Sequence, residues 1–226
     1  MSVQELTETL KGRDVLFNLF SQVFIDIPDE FTDKLMMDTA ALVSVIAGAS
    51  NNSDFSEGAA VLRKYFDEAG SLEETRQDRT AAFTSLFLLG KASSPVYESV
   101  HRSPEKMVKQ DPWSQVKEFY MQNGFRRSEK RNIMEDHVSI ELQFMGLLSA
   151  KAAEACEAED FEACSEILAA QLKFYDEHIM KWVPKFCSKV AEKKDEHKYA
   201  VYAAYALILK GFLVEDTVFL RELLED

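Results

Sequence analysis

The stretch RNIMEDHVSIELQFMGLL, residues 131–148, sets Glu135, Asp136 and His137 against an apolar run and adds Glu141 one helical turn on. Four chemistries use such residues. His137 and Glu141 are four apart and would share one helix face, the spacing of metal ligands on helices. Asp136 beside His137 is a pair that activates a nucleophile when a third group completes it. Glu135 or Asp136 would cap a helix starting here and meet the positive end of its dipole; His137 would then sit in the first turn, where that dipole disfavours a charged imidazole. A helix N-terminus carrying acids is also a place to dock a cationic peptide.

The rest of the chain narrows the choice. A closed metal site needs further ligands, and His101, His178 and His197 lie in no recognisable ligand spacing. No G-x-S-x-G, P-loop or G-x-G-x-x-G accompanies the Asp-His pair. Neither metal, cofactor nor catalysis is therefore expected, and an enzyme or metalloprotein built on His137 with Glu141 or Asp136 stands as the alternative. Cys156, Cys164 and Cys187 are odd in number and lack C-x-x-C spacing, so they read as buried thiols in a reducing compartment. A formal net charge of −13 disfavours nucleic acid, which needs a dense basic face, and suits a cationic partner or simple solubility. No run of about 18 apolar residues is available to cross a bilayer. The opening MSVQELTETLKGRD lacks the basic start and apolar stretch of a secretory signal. A cytoplasmic protein without membrane insertion is expected.

Positioning falls to helices. Apolar residues recur at three and four rather than at two, and only five prolines and eight glycines interrupt them, so the chain reads as all-α with about nine to ten helices. The pattern predicts helices to about residue 25, over about 29–48, from a cap at Ser53 or Asp54, and through the eighties. After the middle of the chain they resume over about 135–157, 159–178, 182–193 and 196–211, with a short last one from about 215. Between the two sets the texture changes. Pro95, Pro104 and Pro112 cluster in one long irregular stretch that holds at most a short helix after Pro104, and Asp111-Pro112 reads as the N-cap and first position of the next helix. A second loop, FRRSEKRNIM, follows Gly124; its basic residues would either grip an acidic partner or be solvated. Loops longer than about 12 residues are uncommon in compact domains unless they have a role. Within the first, SPVYESVHRSP offers Tyr97, Glu98 and Ser99 between prolines: they would line a peptide groove, or make turns with Tyr97 plugging the core. FYDEHIMKWVPKF, with His178 and Trp182, reads as core.

Taken together, these pieces resemble the TorD/DmsD/NarJ family of molybdoenzyme-specific chaperones. The resemblance is carried by P-x-Y-E-S-V at Pro95–Val100, S-P-E at Ser103–Glu105, V-x-x-F-Y-x-x-x-G-F at Val116–Phe125, the E-D-H-V-led segment Glu135–Leu148, and H-x-x-x-W-x-P-x-F at His178–Phe186. It implies a single all-helical domain over 1–226: a helical half of about 1–90, a loop and hinge region of about 91–135, and a second half of about 136–226. It also implies a cytoplasmic, non-catalytic redox enzyme maturation protein. Such a protein binds the twin-arginine signal peptide or N-terminal segment of an apo molybdopterin oxidoreductase of the DMSO reductase family, and holds it for cofactor insertion before export. Asp136 and His137 match the family's hinge pair, and Tyr97, Glu98 and Ser99 its first loop motif, both associated with signal recognition. Glu135 and Glu98 would face arginines, with Tyr97, Val100 and Met134 as apolar walls. Ile133 and Met134 stand where the family often has Glu and Pro, and His101 where an aromatic is frequent. Some members are linked to guanine nucleotide, but no phosphate-cradling glycine loop is present here. Some family members form homodimers by exchanging helical halves, and the loops around 91–134 would permit such a swap here. A helical adaptor that contacts a folded client and ignores its signal is a further alternative.

Overall fold

A computed structural model of the chain describes residues 1–68, 71–89, 94–128 and 132–225, without the side chains of 44, 48 and 72–74. Parts of both long loops, 90–93 and 129–131, lie outside these residues. The fold is all-α. Among the described residues run α1 (Val3–Ile25), α2 (Glu30–Ala49), α3 (Ser53–Glu68), α4 (Leu72–Phe83), α5 (Glu98–Arg102), α6 (Asp111–Gln122), α7 (Val138–Glu157), α8 (Phe161–Phe174), α9 (Met180–Ala191) and α10 (Ala200–Glu225). Single π turns follow α4 at Thr84–Leu88 and α8 at Tyr175–Ile179. None of these helices is long and apolar enough to cross a membrane.

The chain divides into two compact units that interleave in sequence. One comprises Met1–Phe24, Tyr97–Trp182 and Asp216–Asp226; the other comprises Ile25–Val96 and Val183–Glu215. In the second unit Asp33 is buried between two guanidiniums, Arg79 Nε at 2.7 Å and Arg76 Nε at 2.7 Å, so its charge is paired twice. Glycine brings helices close there. A Cβ on Gly58 would lie 2.9 Å from the Ala204 carbonyl oxygen, and one on Gly211 would lie 2.8 Å from Phe55 Cδ2. Gly211 is therefore a contact point inside α10. The break expected at about 211–215 does not occur, because packing on Phe55 outweighs the roughly 1 kcal/mol that glycine costs within a helix. Asn52, one residue ahead of the expected cap, starts α3: its Oδ1 accepts the Asp54 N–H at 3.0 Å.

The first unit holds both loops. Its interior is aromatic: Phe144 lies between Tyr120, Phe174 and Phe119, with ring centroids 4.7, 4.9 and 5.9 Å away. Helix α6 ends in a Schellman motif. Gly124 takes φ +68°, the Phe125 N–H reaches the Tyr120 carbonyl at 2.9 Å, and the Phe125 ring packs on Tyr120 at 4.8 Å. At its start Gln110 is the N-cap and Asp111 is already helical, one position earlier than the sequence suggests. The short helix α5 precedes Pro104 rather than following it. Ser103 is extended (ψ 148°), as a residue before proline must be, and ends the helix. Arg13, from α1, is buried against Asp216 of α10, with Nε and Nη2 at 2.5 and 2.9 Å from the two carboxylate oxygens; this ties the first and last helices into this unit.

Candidate functional site

The two loops meet as a backbone pair. Tyr97 and His137 form an isolated antiparallel bridge, the Glu98 N–H donates to the Asp136 carbonyl at 2.9 Å, and the Tyr97 and His137 rings meet edge to face at 5.0 Å. From this junction two helices leave in sequence, α5 from Tyr97 and α7 from His137. Asp136 does not cap α7. Its Oδ2 accepts both the N–H and the hydroxyl of Ser99, at 2.9 and 2.5 Å, and so satisfies an orphan donor in the first turn of α5, for which the N-cap Tyr97 has no side-chain acceptor. His137 is itself the N-cap of α7 and not a first-turn residue: its Nδ1 accepts the Ser139 N–H at 3.1 Å. Only the neutral ring can accept there. Burial holds its pKa down at about 3, in keeping with that role.

Three carboxyls lie fully buried around this junction: Glu98, Asp136 and Glu141. Burial, with smaller effects from neighbouring carboxylates, raises the Asp136 pKa, although the Ser99 hydrogen bonds oppose the rise. Burial and then the charges of Glu98 and Asp136 hold Glu141 well above the usual carboxylate range. Glu141 accepts the Trp182 indole N–H at 3.1 Å, and His101 lies over the Trp182 ring at 5.0 Å. Glu98 pairs with Arg102 and with His178, whose Nδ1 is 3.0 Å from Oε2. Glu135 stands apart and is partly exposed. Burial would raise its pKa, but the Trp113 indole N–H at 2.6 Å and the Arg127 guanidinium at 3.3 Å outweigh burial and lower it.

All eight residues singled out from the sequence, Tyr97, Glu98, Ser99, Val100, Met134, Glu135, Asp136 and His137, thus gather at one junction. Tyr97, Val100, Met134 and Glu135 are partly exposed, whereas Glu98, Ser99, Asp136 and His137 are buried. Arg102 and His178 were not singled out as site residues. The four-residue spacing of Glu98 and Arg102 is a signal that could have found the first; nothing local marks the second. Clefts flank the junction: one of about 510 Å³ that includes Arg102, His178, Glu118 and Lys173, one of about 430 Å³ that shares Arg102 and Gln115 with it, and one of about 300 Å³ beside Glu135. Among the described residues no three His, Cys, Asp or Glu side chains gather so as to hold a metal ion, and the three cysteines are free and buried.

Acids and imidazoles here cap helices and pair across loops. Residues 49–188, more than half of the chain, match the model of the nitrate reductase delta subunit family. The chain belongs to this family, the TorD/NarJ group of chaperones. It is 27% identical over 209 residues to the chaperone protein TorD of Shewanella sp. (strain MR-4), covering 91% of this chain and 92% of that one. With TorD of Vibrio cholerae serotype O1 (Classical Ogawa 395) it shares 23% over 217 residues, 96% and 94% of the two chains. A crystal structure assigned to a redox enzyme maturation protein of Archaeoglobus fulgidus has the same fold, with a TM-score of 0.51 at 22% identity over 89% of this chain and 93% of that one. The relatives are named chaperones, a non-enzymatic role, and the enzyme alternative falls with that.

Proposed function

We propose that this chain is a cytoplasmic chaperone that binds the twin-arginine signal peptide, or the adjoining N-terminal segment, of an apo molybdopterin oxidoreductase and holds it until its cofactor is inserted. The observation that carries the reading is the junction itself, where the two segments that match the family's signal-recognition motifs are tied together by the Tyr97–His137 bridge. Buried Asp136 and His137 fix the starts of α5 and α7, so Tyr97, Val100, Met134 and Glu135 are held at the edge of one surface. Such an edge suits a signal peptide, which combines arginines with an apolar stretch: a carboxylate beside apolar walls meets both.

Calorimetric titration of the purified protein with a synthetic twin-arginine signal peptide tests this, beside an Arg-to-Gln peptide and an Asp136→Ala/His137→Ala protein. Binding of about micromolar Kd or tighter is expected, about −8 kcal/mol, weakened at least about tenfold by either change. No heat with any such peptide, together with binding of a signal-deleted client, would turn the reading into that of an adaptor for the folded enzyme.

A further inference from the structure

The Glu98 carboxylate is fully buried, and its Arg102 partner is the more exposed of the two, with 27% of its side chain accessible. Arg102 Nη1 is bonded to Glu98 Oε1 and also donates to the Glu177 carbonyl at 2.8 Å. The guanidinium lines both the 510 Å³ and the 430 Å³ cleft, which share Gln115 as well. Behind it lie two further buried carboxyls. Glu141 Oε1 and Asp136 Oδ1 are buried without a hydrogen-bond partner among the described residues, and both carboxyls feel the charge of Glu98.

We propose that Glu98 is the acceptor for one guanidinium of the bound peptide, and that Arg102 is a resident guanidinium which the incoming arginine displaces; this rests on the signal-peptide reading above. Arg102 lines both clefts and is bonded to Glu98, so swinging it outward would open the part they share toward the Glu98 carboxylate, whose Oε2 is 3.0 Å from His178 Nδ1. An arginine fits that place better than a lysine. Its planar fork can keep the Glu98 contact while donating a further N–H to the Glu177 carbonyl, as Arg102 does, whereas an ammonium is a compact, strongly hydrated point charge. The exchange of one arginine for another is nearly neutral in energy, so Arg102 keeps the buried acid paired in the empty protein, where an unpaired buried charge would be costly. It also lowers the apparent affinity by the fraction of time that Glu98 is free. The device makes the site selective: a ligand unable to replace a guanidinium leaves it closed.

The test is titration of the twin-arginine peptide, and of its lysine-lysine counterpart, into the intact protein and into Arg102→Gln, Arg102→Lys, Glu98→Gln and Arg63→Gln. Arg63→Gln removes the same charge from the exposed face of α3 and controls for net charge. If Arg102 is free of Glu98 about one tenth of the time, Arg102→Gln binds the arginine peptide about tenfold more tightly and Arg102→Lys falls between. Arg63→Gln is then unchanged, Glu98→Gln loses most of the binding, and the lysine peptide binds weakly to the intact protein. If the intact protein binds the peptide but Arg102→Gln and Arg102→Lys bind no better, the displacement is wrong while the signal-peptide reading stands. If no form binds the peptide, the reading itself fails and takes the displacement with it. Circular dichroism melts accompany each variant, and unfolding of both Arg102 variants would make the residue a structural partner of Glu98 and overturn the proposal.

Discussion

Asp136 and His137 are neighbours in sequence yet serve different helices, and their titration follows from those duties. The unfolded imidazole protonates near pH 6.5, while burial keeps His137 neutral in the folded chain down to about pH 3. Below pH 6.5 the unfolded state binds the extra proton, so stability linked to this residue is complete above about 6.5 and is lost as pH falls toward 3. Asp136 and Glu141, with raised pKa values, act in the opposite sense, their contribution being lost as pH rises through their folded values. Comparison with His137→Asn separates the two effects. Asparagine is an equally good N-cap but does not titrate, so at pH 8 the variant should lose only the ring contact with Tyr97, about 1 kcal/mol. At pH 5 the native protein gives up about 2 kcal/mol through His137 that the variant keeps. Urea unfolding at the two pH values should therefore show the order of stability reversing, and parallel curves would mean that His137 is not buried neutral. That a residue caps, and which helix it caps, was only half legible: acids ahead of an apolar run announced a helix start near residues 135–136, and the helix begins at Val138 with His137 as its cap. That Asp136 reaches across to Ser99 depends on a loop 37 residues away and has no local signal.

At the scale of elements, periodicity carried the all-α assignment and most helix positions, because a buried stripe at three and four is imposed by the core itself. It misjudged places where glycine or proline has a contact role. Gly211 resembles a stop in sequence but is a gap into which Phe55 fits, and Pro104 ends α5 instead of opening a helix. Gly58 is the stricter case. A methyl group there would come within 2.7 Å of Ile208 Cγ1 and 2.9 Å of the Ala204 carbonyl, and a backbone atom cannot rotate away. Gly58→Ala should cost about 1–3 kcal/mol by overpacking, despite alanine's better helix propensity. Gly12, with nothing within 4 Å of a built Cβ, should gain up to about 1 kcal/mol on the same change. Thermal melts of the two variants moving in opposite directions would establish that glycine here reflects contact and not flexibility; movement in the same direction would refute it.

At the scale of the whole molecule, charge was legible in full and connectivity was not. Counting residues gives −13, but no pattern in the sequence says that Met1–Phe24 and Asp216–Asp226 belong to the same compact unit as the middle of the chain. Long-range pairs such as Arg13 with Asp216, Tyr175 with Asp216 and Gln143 with Ser21 join these segments. The two facts act on different steps of binding. A chain of strong negative charge draws a cationic peptide from a distance, an attraction that salt removes: raising ionic strength from about 0.1 M to about 1 M shortens the screening length from about 10 Å to about 3 Å. A guanidinium seated on a buried carboxylate is screened far less. If the peptide's arginine reaches Glu98, stopped-flow measurements across that range should show association slowing by about tenfold or more, with dissociation changing by less than about twofold. Dissociation that accelerates in step with salt would instead put the arginines on exposed rim acids such as Glu105 or Glu118, where pairs contribute little and ions compete freely.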